Sequence, residues 1–317
     1  MPWQWRHCPL AHRYSGFRII LTLQSNCKIN IGLKITGKRA DGYHTLETIF
    51  QEIDLADTIF LETIDEGWQL TCSDSAVPVD ETNLCVKTFF QLKKLFPGLG
   101  GVGMRLQKRI PAGAGLGGGS ANAGALLKGI NELYQLELPD NRLEDIALTI
   151  GSDVPFFIRG GTQYAEGVGE ILSDLTLPPI GAILLVIPQI RISTKWAYNG
   201  IKNNLTGGVK SGKFAAALES FDSWQSVSFW ETADKFFKND FESLVFQTYP
   251  EIGDIQRQLL DAGALFASLS GSGSTVFGIF RDDAQALKAQ AFFSFPLLTF
   301  ITHSILKGDF PKKWDVV

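Results

Sequence analysis

P-A-G-A-G-L-G-G-G-S-A-N-A, residues 111–123, holds five glycines in thirteen positions. It has almost no side chain to bury, so it is no core segment. What it offers is main-chain N–H groups that a ligand approaches without a Cβ in the way. The run A-N-A-G-A-L-L-K-G-I-N-E-L-Y, residues 121–134, carries the apolar stripe of a helix. Ser120 stands where an N-cap belongs. A glycine loop feeding a capped helix N-terminus is an anion site, because the free N–H groups and the helix dipole point the same way. The stretch reads as a polyphosphate cradle.

Other glycine motifs fit less well. A P-loop ends in Gly-Lys-Ser/Thr, and Gly119-Ser120 has no lysine between. Gly113, Gly115 and Gly118 meet the dinucleotide spacing, but that fingerprint follows a continuously apolar strand of a buried parallel sheet. The strand expected at 102–109 alternates apolar and polar, as an antiparallel strand with one wet face does. A ligand-free surface loop is disfavoured because such loops seldom end in a capped apolar helix.

The chain of 317 residues is 45% hydrophobic and 20% charged, a soluble globular composition with room for two domains. A net charge of −4 gives no basic excess for nucleic acid. Cys8, Cys27, Cys72 and Cys85 are scattered, with no C-x-x-C and no Cys/His cluster. Free thiols in a reducing compartment are expected, and no zinc site. No apolar run approaches the ~20 residues of a membrane span. Residues 1–17 hold two of the seven tryptophans and two of the four histidines without periodicity, and read as a poorly ordered extension.

Strands are expected at 17–23, 25–36, 45–54, 58–64 and 67–72, the last two antiparallel, with helices at 83–96 and 142–150. In 25–36, Lys28 and Asn30 share one face and Ile29 and Ile31 the other. The loop G-K-R-A-D-G-Y-H, 37–44, carries a Tyr43-His44 pair that a plain turn does not need. Asp153, in S-D-V-P-F-F, is either a turn-stabilising aspartate or a general base on a rigid segment. The glycine-rich 160–169 reads as the seam between halves. Beyond it come an apolar strand at 182–187, a helix after Ser193 or Thr194, and helical pieces around 214–221 and 230–237. A helix at 251–262, a hairpin with a small-residue turn at 270–274, a helix at 283–293 and a strand at 297–305 complete an α+β chain.

Three separated stretches together resemble the GHMP kinases: Lys28-x-Asn30, the loop 111–123 and the small-residue hairpin 269–275. R-A-D-G-Y-H at 39–44, G-S-D-V-P-F-F at 151–157 and A-E-G-V-G-E at 165–170 narrow the likeness to the branch whose acceptor is a methylerythritol linked to cytidine diphosphate. The resemblance covers about 18–310. It implies a two-domain α+β fold, with a ribosomal protein S5 domain 2-like N-terminal half (18–165) and a ferredoxin-like C-terminal half (166–317). It also implies a cytoplasmic ATP-dependent small-molecule kinase, monomer or weak homodimer, with no nucleic-acid or membrane partner. A sibling acceptor (mevalonate, homoserine or a sugar) and a non-catalytic nucleotide-binding module are the alternatives.

Carried over by resemblance, Lys28 and Asp153 are the catalytic pair. ATP is held by Pro111, Ala112, Gly113, Ala114, Gly115, Leu116, Gly117, Gly118, Gly119, Ser120 and Ala121, with Asn122 adding a side-chain contact. Tyr43 stacks on the cytosine and His44 bonds its edge, with Tyr198 as a second aromatic face. Asn30 and Thr194 sit beside the diphosphate or erythritol part. Mg²⁺ is expected with ATP, its protein ligands left open beyond Ser120. Two departures stand out: Asn26-Cys27 replaces the family's Pro-Ala, and Ser120-Ala121 its paired serines.

Overall fold

Two strands expected in each of two places are instead one strand each. β1 (Ile19–Lys38) and β2 (His44–Ile64) form a single long antiparallel hairpin. The apparent breaks are absorbed by a bulge, where the register steps from Asn26↔Ala56 to Cys27↔Ile53. A bulge bends a strand while the ladder continues. The computed structural model describes residues 19–176, 179–201, 227–230, 233–307 and 313–316. The expected extension 1–17 and the helix around 214–221 lie outside them.

β3 (Trp68–Cys72) lies parallel to β4 (Gly101–Gln107), which corrects the antiparallel expectation. The reason is α1 (Leu84–Leu95): a helical crossover returns the chain in the same direction. Asn83 caps that helix, its Oδ1 accepting from Cys85 N–H at 2.8 Å. The first sheet continues with β5 (Thr162–Glu166), paired to β2, and β6 (Ile171–Asp174), paired to β5. The seam expected between 165 and 166 therefore falls inside a hairpin. β11 (Lys313–Val316) brings the end of the chain back to β1. The second sheet runs β10 (Leu298–Thr302), β7 (Ala182–Ile187), β9 (Val276–Phe280), β8 (Phe266–Leu269), all antiparallel.

Large hydrophobic cores stack these layers. Leu21, Leu61 and Phe89 bury against α2 (Gly118–Leu133) and α3 (Asp140–Ile150) through Leu126, Ile130 and Ile146. On the other face, Ile29, Ile31 and Ile49 meet Ile183, Leu185, Phe277 and Ile279 of the second sheet. Leu184 and Val186 point the opposite way, onto Ile252, Ile255 and Leu259 of α8 (Pro250–Asp261). β7 is thus covered on both faces, which is why its sequence is continuously apolar. Each fully buried Leu or Ile contributes roughly 1.5–3 kcal/mol. Between β7 and α8 lie α5 (Thr194–Gly200), α6 (Val227–Trp230), a 3₁₀ turn (Ala233–Lys235) and α7 (Glu242–Thr248). α4 (Phe156–Arg159) comes after α3, and α9 (Asp283–Gln290) after β9. Among the described residues no helix is long and apolar enough to cross a membrane. Cys27, Cys72 and Cys85 are free thiols, and burial pushes the Cys85 thiol up to about 12.

His303 ties the sheets together. Its N–H donates to Asp54 Oδ1 at 3.0 Å, and its ring lies 2.7 Å from Asp283 Oδ1 and 3.5 Å from Asp54 Oδ2. The Asp283 hydrogen bond holds the imidazole above its ordinary range, opposed by partial burial and helped by Asp54. A group raised on folding stabilises below its unfolded pKa, about 6.5, and loses that contribution as pH rises through the folded value. The melting temperature of wild type should therefore exceed that of His303→Gln near pH 6, with the gap closing as pH rises through the raised folded value. A gap that widens with pH would refute the protonated tie.

Candidate active site

The helix of the glycine stretch starts earlier than expected. α2 begins at Gly118 and its N-cap is Gly117, not Ser120. Gly117 is left-handed, at φ 69°, and its carbonyl accepts from Ala121 N–H at 2.9 Å. A left-handed entry suits glycine and needs no side-chain cap. Ser120 lies inside the first turn, where the N–H groups of Gly118, Gly119 and Ser120 have no intrahelical acceptor. These donors lie at the positive end of a sixteen-residue helix, an arrangement that can hold an anion.

The loop is pinned from three sides. Lys28 N–H donates to Leu116 O at 3.0 Å, and Thr275 N–H to Ala114 O at 3.2 Å. Ser270 Oγ–H donates to Gly115 O at 3.0 Å. At its start, Asp57 Oδ1 accepts from Arg109 N–H at 2.7 Å and Ile110 N–H at 2.8 Å, while Oδ2 pairs with Lys108. Asp57 is fully buried, and such a charge is tolerated because partners occupy its oxygens.

Gly115 is the tightest point. A Cβ there would lie 2.2 Å from Ser270 O and 2.9 Å from Gly273 O, at φ +80°. At Gly113, φ +74°, it would meet nothing within 4 Å. Gly113→Ala should cost about 1–2 kcal/mol from backbone strain alone. Gly115→Ala should cost a further ~1–3 kcal/mol from overpacking. Thermal melts of the two variants check this; equal losses would contradict the packing of the loop against the hairpin.

Lys28 and Asn30 share a face of β1, as the alternation requires. Both are buried. Lys28 Nζ donates to Asn30 Oδ1 at 2.5 Å, Asn30 Nδ2 to Thr48 Oγ1 at 2.9 Å, and Thr48 Oγ1 to Gly32 O at 2.6 Å. Thr48, which no sequence pattern singles out, thus fixes the amide that orients the lysine. The ammonium lies 5.0 Å from the Phe50 ring centroid, and the stem passes so close to Gly117 that a Cβ there would be 3.2 Å from Lys28 Cε. Burial pushes the Lys28 ammonium below the usual lysine range, and the negative charge of Asp153 works against that.

Asp153 stands in the turn between α3 and α4. Val154, Phe156 and Phe157 behind it are buried. Its Oδ1 would lie 3.7 Å from a Cβ at Gly169, so the A-E-G-V-G-E stretch packs against this carboxylate. Asn26 replaces the family's proline with a function of its own, donating to buried Glu52 Oε1 at 3.2 Å. Ala121, in the second serine's place, packs with Phe50, Phe156 and Phe157, where a hydroxyl would find an apolar surround.

These groups border one cleft of about 570 Å³. Lys28, Asn30, Asp153, Thr194 and Tyr198 line it with residues 111–120. Thr194 Oγ1 is 3.2 Å from Ser272 Oγ of the small-residue turn. His44 reaches the site through Tyr198, with rings stacked at 5.3 Å and 23°. Tyr43 is 65% exposed beside it. Tyr198 in turn meets the edge of Phe241 at 5.0 Å. Two walls of the cleft are not marked as site residues by any sequence motif. One is Ala76 to Pro78 with Thr82 to Leu84, Leu106 and Lys108; the other is Phe241. A loop between strand and helix, and a phenylalanine in an unpatterned stretch, offer no periodicity to find them by.

The chemistry of the cleft fits a nucleotide polyphosphate. The orphan N–H groups suit phosphate oxygens; Asn122, buried and lining the cleft, leaves Oδ1 without a hydrogen-bond partner, an acceptor that suits a donor or a cation rather than a phosphate oxygen. Among the described residues no group of three acid, histidine or cysteine side chains is arranged to hold a metal ion.

The chain matches the GHMP kinases N terminal domain over residues 83–161 and the GHMP kinases C terminal domain over 217–297. It is 42% identical over 263 residues to 4-diphosphocytidyl-2-C-methyl-D-erythritol kinase of Chlorobium chlorochromatii, covering 83% of this chain and 89% of that protein. A crystal structure of 4-(cytidine 5'-diphospho)-2C-methyl-D-erythritol kinase superposes with a TM-score of 0.73 at 28% identity, over 89% of this chain and 98% of the other. A homoserine kinase from Cytophaga hutchinsonii, 18% identical, shares the fold, with a TM-score of 0.69 over 96% and 99% of the two chains.

Proposed function

The chain belongs to the GHMP kinases, and on that premise we propose that it transfers the γ-phosphoryl group of ATP to the 2-hydroxyl of 4-diphosphocytidyl-2-C-methyl-D-erythritol, a step in non-mevalonate isoprenoid-precursor synthesis. It is an ATP-dependent small-molecule kinase. The observation that carries the proposal is that a buried lysine, a carboxylate and a helix-terminal glycine cradle border one cleft.

Phosphoryl transfer asks little covalent chemistry of a protein; positioning and charge neutralisation dominate. The Gly118 to Ser120 amides hold phosphate oxygens. Lys28, steadied by Asn30 and Thr48, offsets the charge that develops on the transferring group. Asp153 accepts the proton of the attacking hydroxyl. The Tyr198–His44 stack offers aromatic and hydrogen-bonding surface for a pyrimidine, with exposed Tyr43 free to close over it. Mg²⁺ carried with ATP would supply positive charge to the phosphates. Ser120 and Asn122 are residues of that part of the cleft whose side-chain oxygens would hold it.

A coupled ADP-release assay over a panel of acceptors tests the reading. ADP should appear with the cytidyl compound. Turnover with mevalonate, homoserine or a sugar instead would replace the acceptor. Nucleotide binding with no ADP release for any acceptor would favour a non-catalytic module.

A further inference from the structure

Asn239-Asp240-Phe241-Glu242 comes after the 3₁₀ turn and enters α7, in a stretch whose sequence shows no motif spacing. Its four side chains engage the active-site frame at β1, at the end of β8 and the turn after it, and at Tyr198. Asn239, fully buried, donates through Nδ2 to Leu269 O at 2.7 Å and to Gly271 O at 2.8 Å. Its Oδ1 accepts from Phe241 N–H at 2.9 Å, so the amide is fully engaged. Asp240 Oδ2 accepts from Ile35 N–H at 2.8 Å, and its own N–H donates to Leu33 O at 2.8 Å, seating the segment on β1. Phe241 backs Tyr198. Glu242 Oε1 accepts from Ser268 Oγ at 2.8 Å, Leu269 N–H at 3.0 Å and Gln256 Nε2 at 3.2 Å.

Two of the four side chains therefore meet at the end of β8, Asn239 reaching on to the turn at Gly271, and a third ties them to the strand that carries Lys28. The turn in turn carries the phosphate loop: Ser270 Oγ–H donates to Gly115 O, and Gly115 has no room between Ser270 O and Gly273 O. Buried carbonyls need donors, and Leu269 O and Gly271 O both take the Asn239 amide. We infer that Asn239 is a positioning residue for phosphoryl transfer: its amide sets the height of the 270–273 turn over β1 and, through Gly115, the geometry of the nucleotide's phosphate cradle. This rests on the kinase reading above. It places the larger effect on the nucleotide side of the cleft, because the turn presses on the glycine loop at Gly115, whereas Phe241, which backs Tyr198, is linked to Asn239 by a single hydrogen bond from its backbone N–H.

The test compares Asn239→Ala and Asn239→Ser with Leu259→Ala, a buried residue of the same half that touches neither turn nor loop through a hydrogen bond. The measurements are melting temperature, the Kd of a non-hydrolysable ATP analogue, kcat, and KM for each substrate. Asn239→Ala should weaken the analogue and lower kcat by about tenfold or more, the scale of two lost buried hydrogen bonds. KM for the acceptor should stay within about twofold. Asn239→Ser, which keeps one donor, should fall between wild type and alanine. Leu259→Ala should lose melting temperature and leave the analogue's Kd unchanged. Equal kinetics in Asn239→Ala and Leu259→Ala would overturn the inference, as would wild-type affinity in Asn239→Ser should the alanine variant not fold. The analogue's Kd needs no acceptor, so silence of the wild-type enzyme with every acceptor would count against the kinase reading and not against this comparison.

Discussion

Replacement of Asp153 by asparagine is expected to lower kcat by about 10²-fold or more, the usual cost of removing a general base. The substitution keeps the volume of the side chain and removes only its ability to take a proton. The site should hold its shape, because the residue is placed by backbone: Val154 N–H donates to Gly151 O and Phe157 N–H to Val154 O, both at 3.1 Å. The buried Phe156 and Phe157 anchor the start of α4 directly after it. Affinity for a nucleotide analogue and the melting temperature should therefore change little. Single-turnover ADP release separates the chemical step from binding. An unchanged kcat would remove Asp153 from the mechanism, and a collapse in melting temperature would assign it to the turn instead.

Lys28→Ala should act on the same step, with kcat falling by about 10²–10³-fold, as loss of a preorganised charge at the transferring group does. Alanine also empties the space the stem fills beside Gly117 and Phe157, so Lys28→Met, which keeps most of that volume, is the cleaner variant. A rise in KM with kcat unchanged would contradict the role. The two groups should be coupled. Burial lowers the Lys28 pKa, and the negative charge of Asp153 works in the opposite direction. The basic limb of the rate profile, where Lys28 loses its proton, should lie below the ordinary lysine value of about 10.4. In Asp153→Asn it should move lower still, since the opposing charge is gone. Residues that act as a unit are not additive, so the double variant should be little slower than the worse single one. Losses that multiply would show two independent contributions.

Much of this site is legible in the residues alone. The glycine run, Lys28 with Asn30 on one face, the small-residue hairpin and Asp153 are all read from residue chemistry or from likeness to the family, and they line one cleft. Local rules also fail in informative places. Ser120 has the chemistry of an N-cap, yet Gly117 takes that position because the loop enters the helix left-handed. Breaks in alternation near 24 and 55–57 read as strand ends, yet pairing between β1 and β2 carries both strands through a bulge. The parallel placement of β3 depends on the crossover that α1 makes after it.

What the sequence determined by itself is whatever depends on a few neighbours along the chain: the glycine loop and its helix, the two-faced alternation of β1, the doubly apolar β7, and the chemical types gathered for phosphoryl transfer. What only the tertiary structure decided is which distant carbonyls and amides share a donor. Thr48 beneath Asn30, Asp57 under the start of the loop, and Asn239 under the turn are each ordinary polar residues in ordinary stretches. Their roles exist only once folding buries a polar group far along the chain and leaves it one partner within reach.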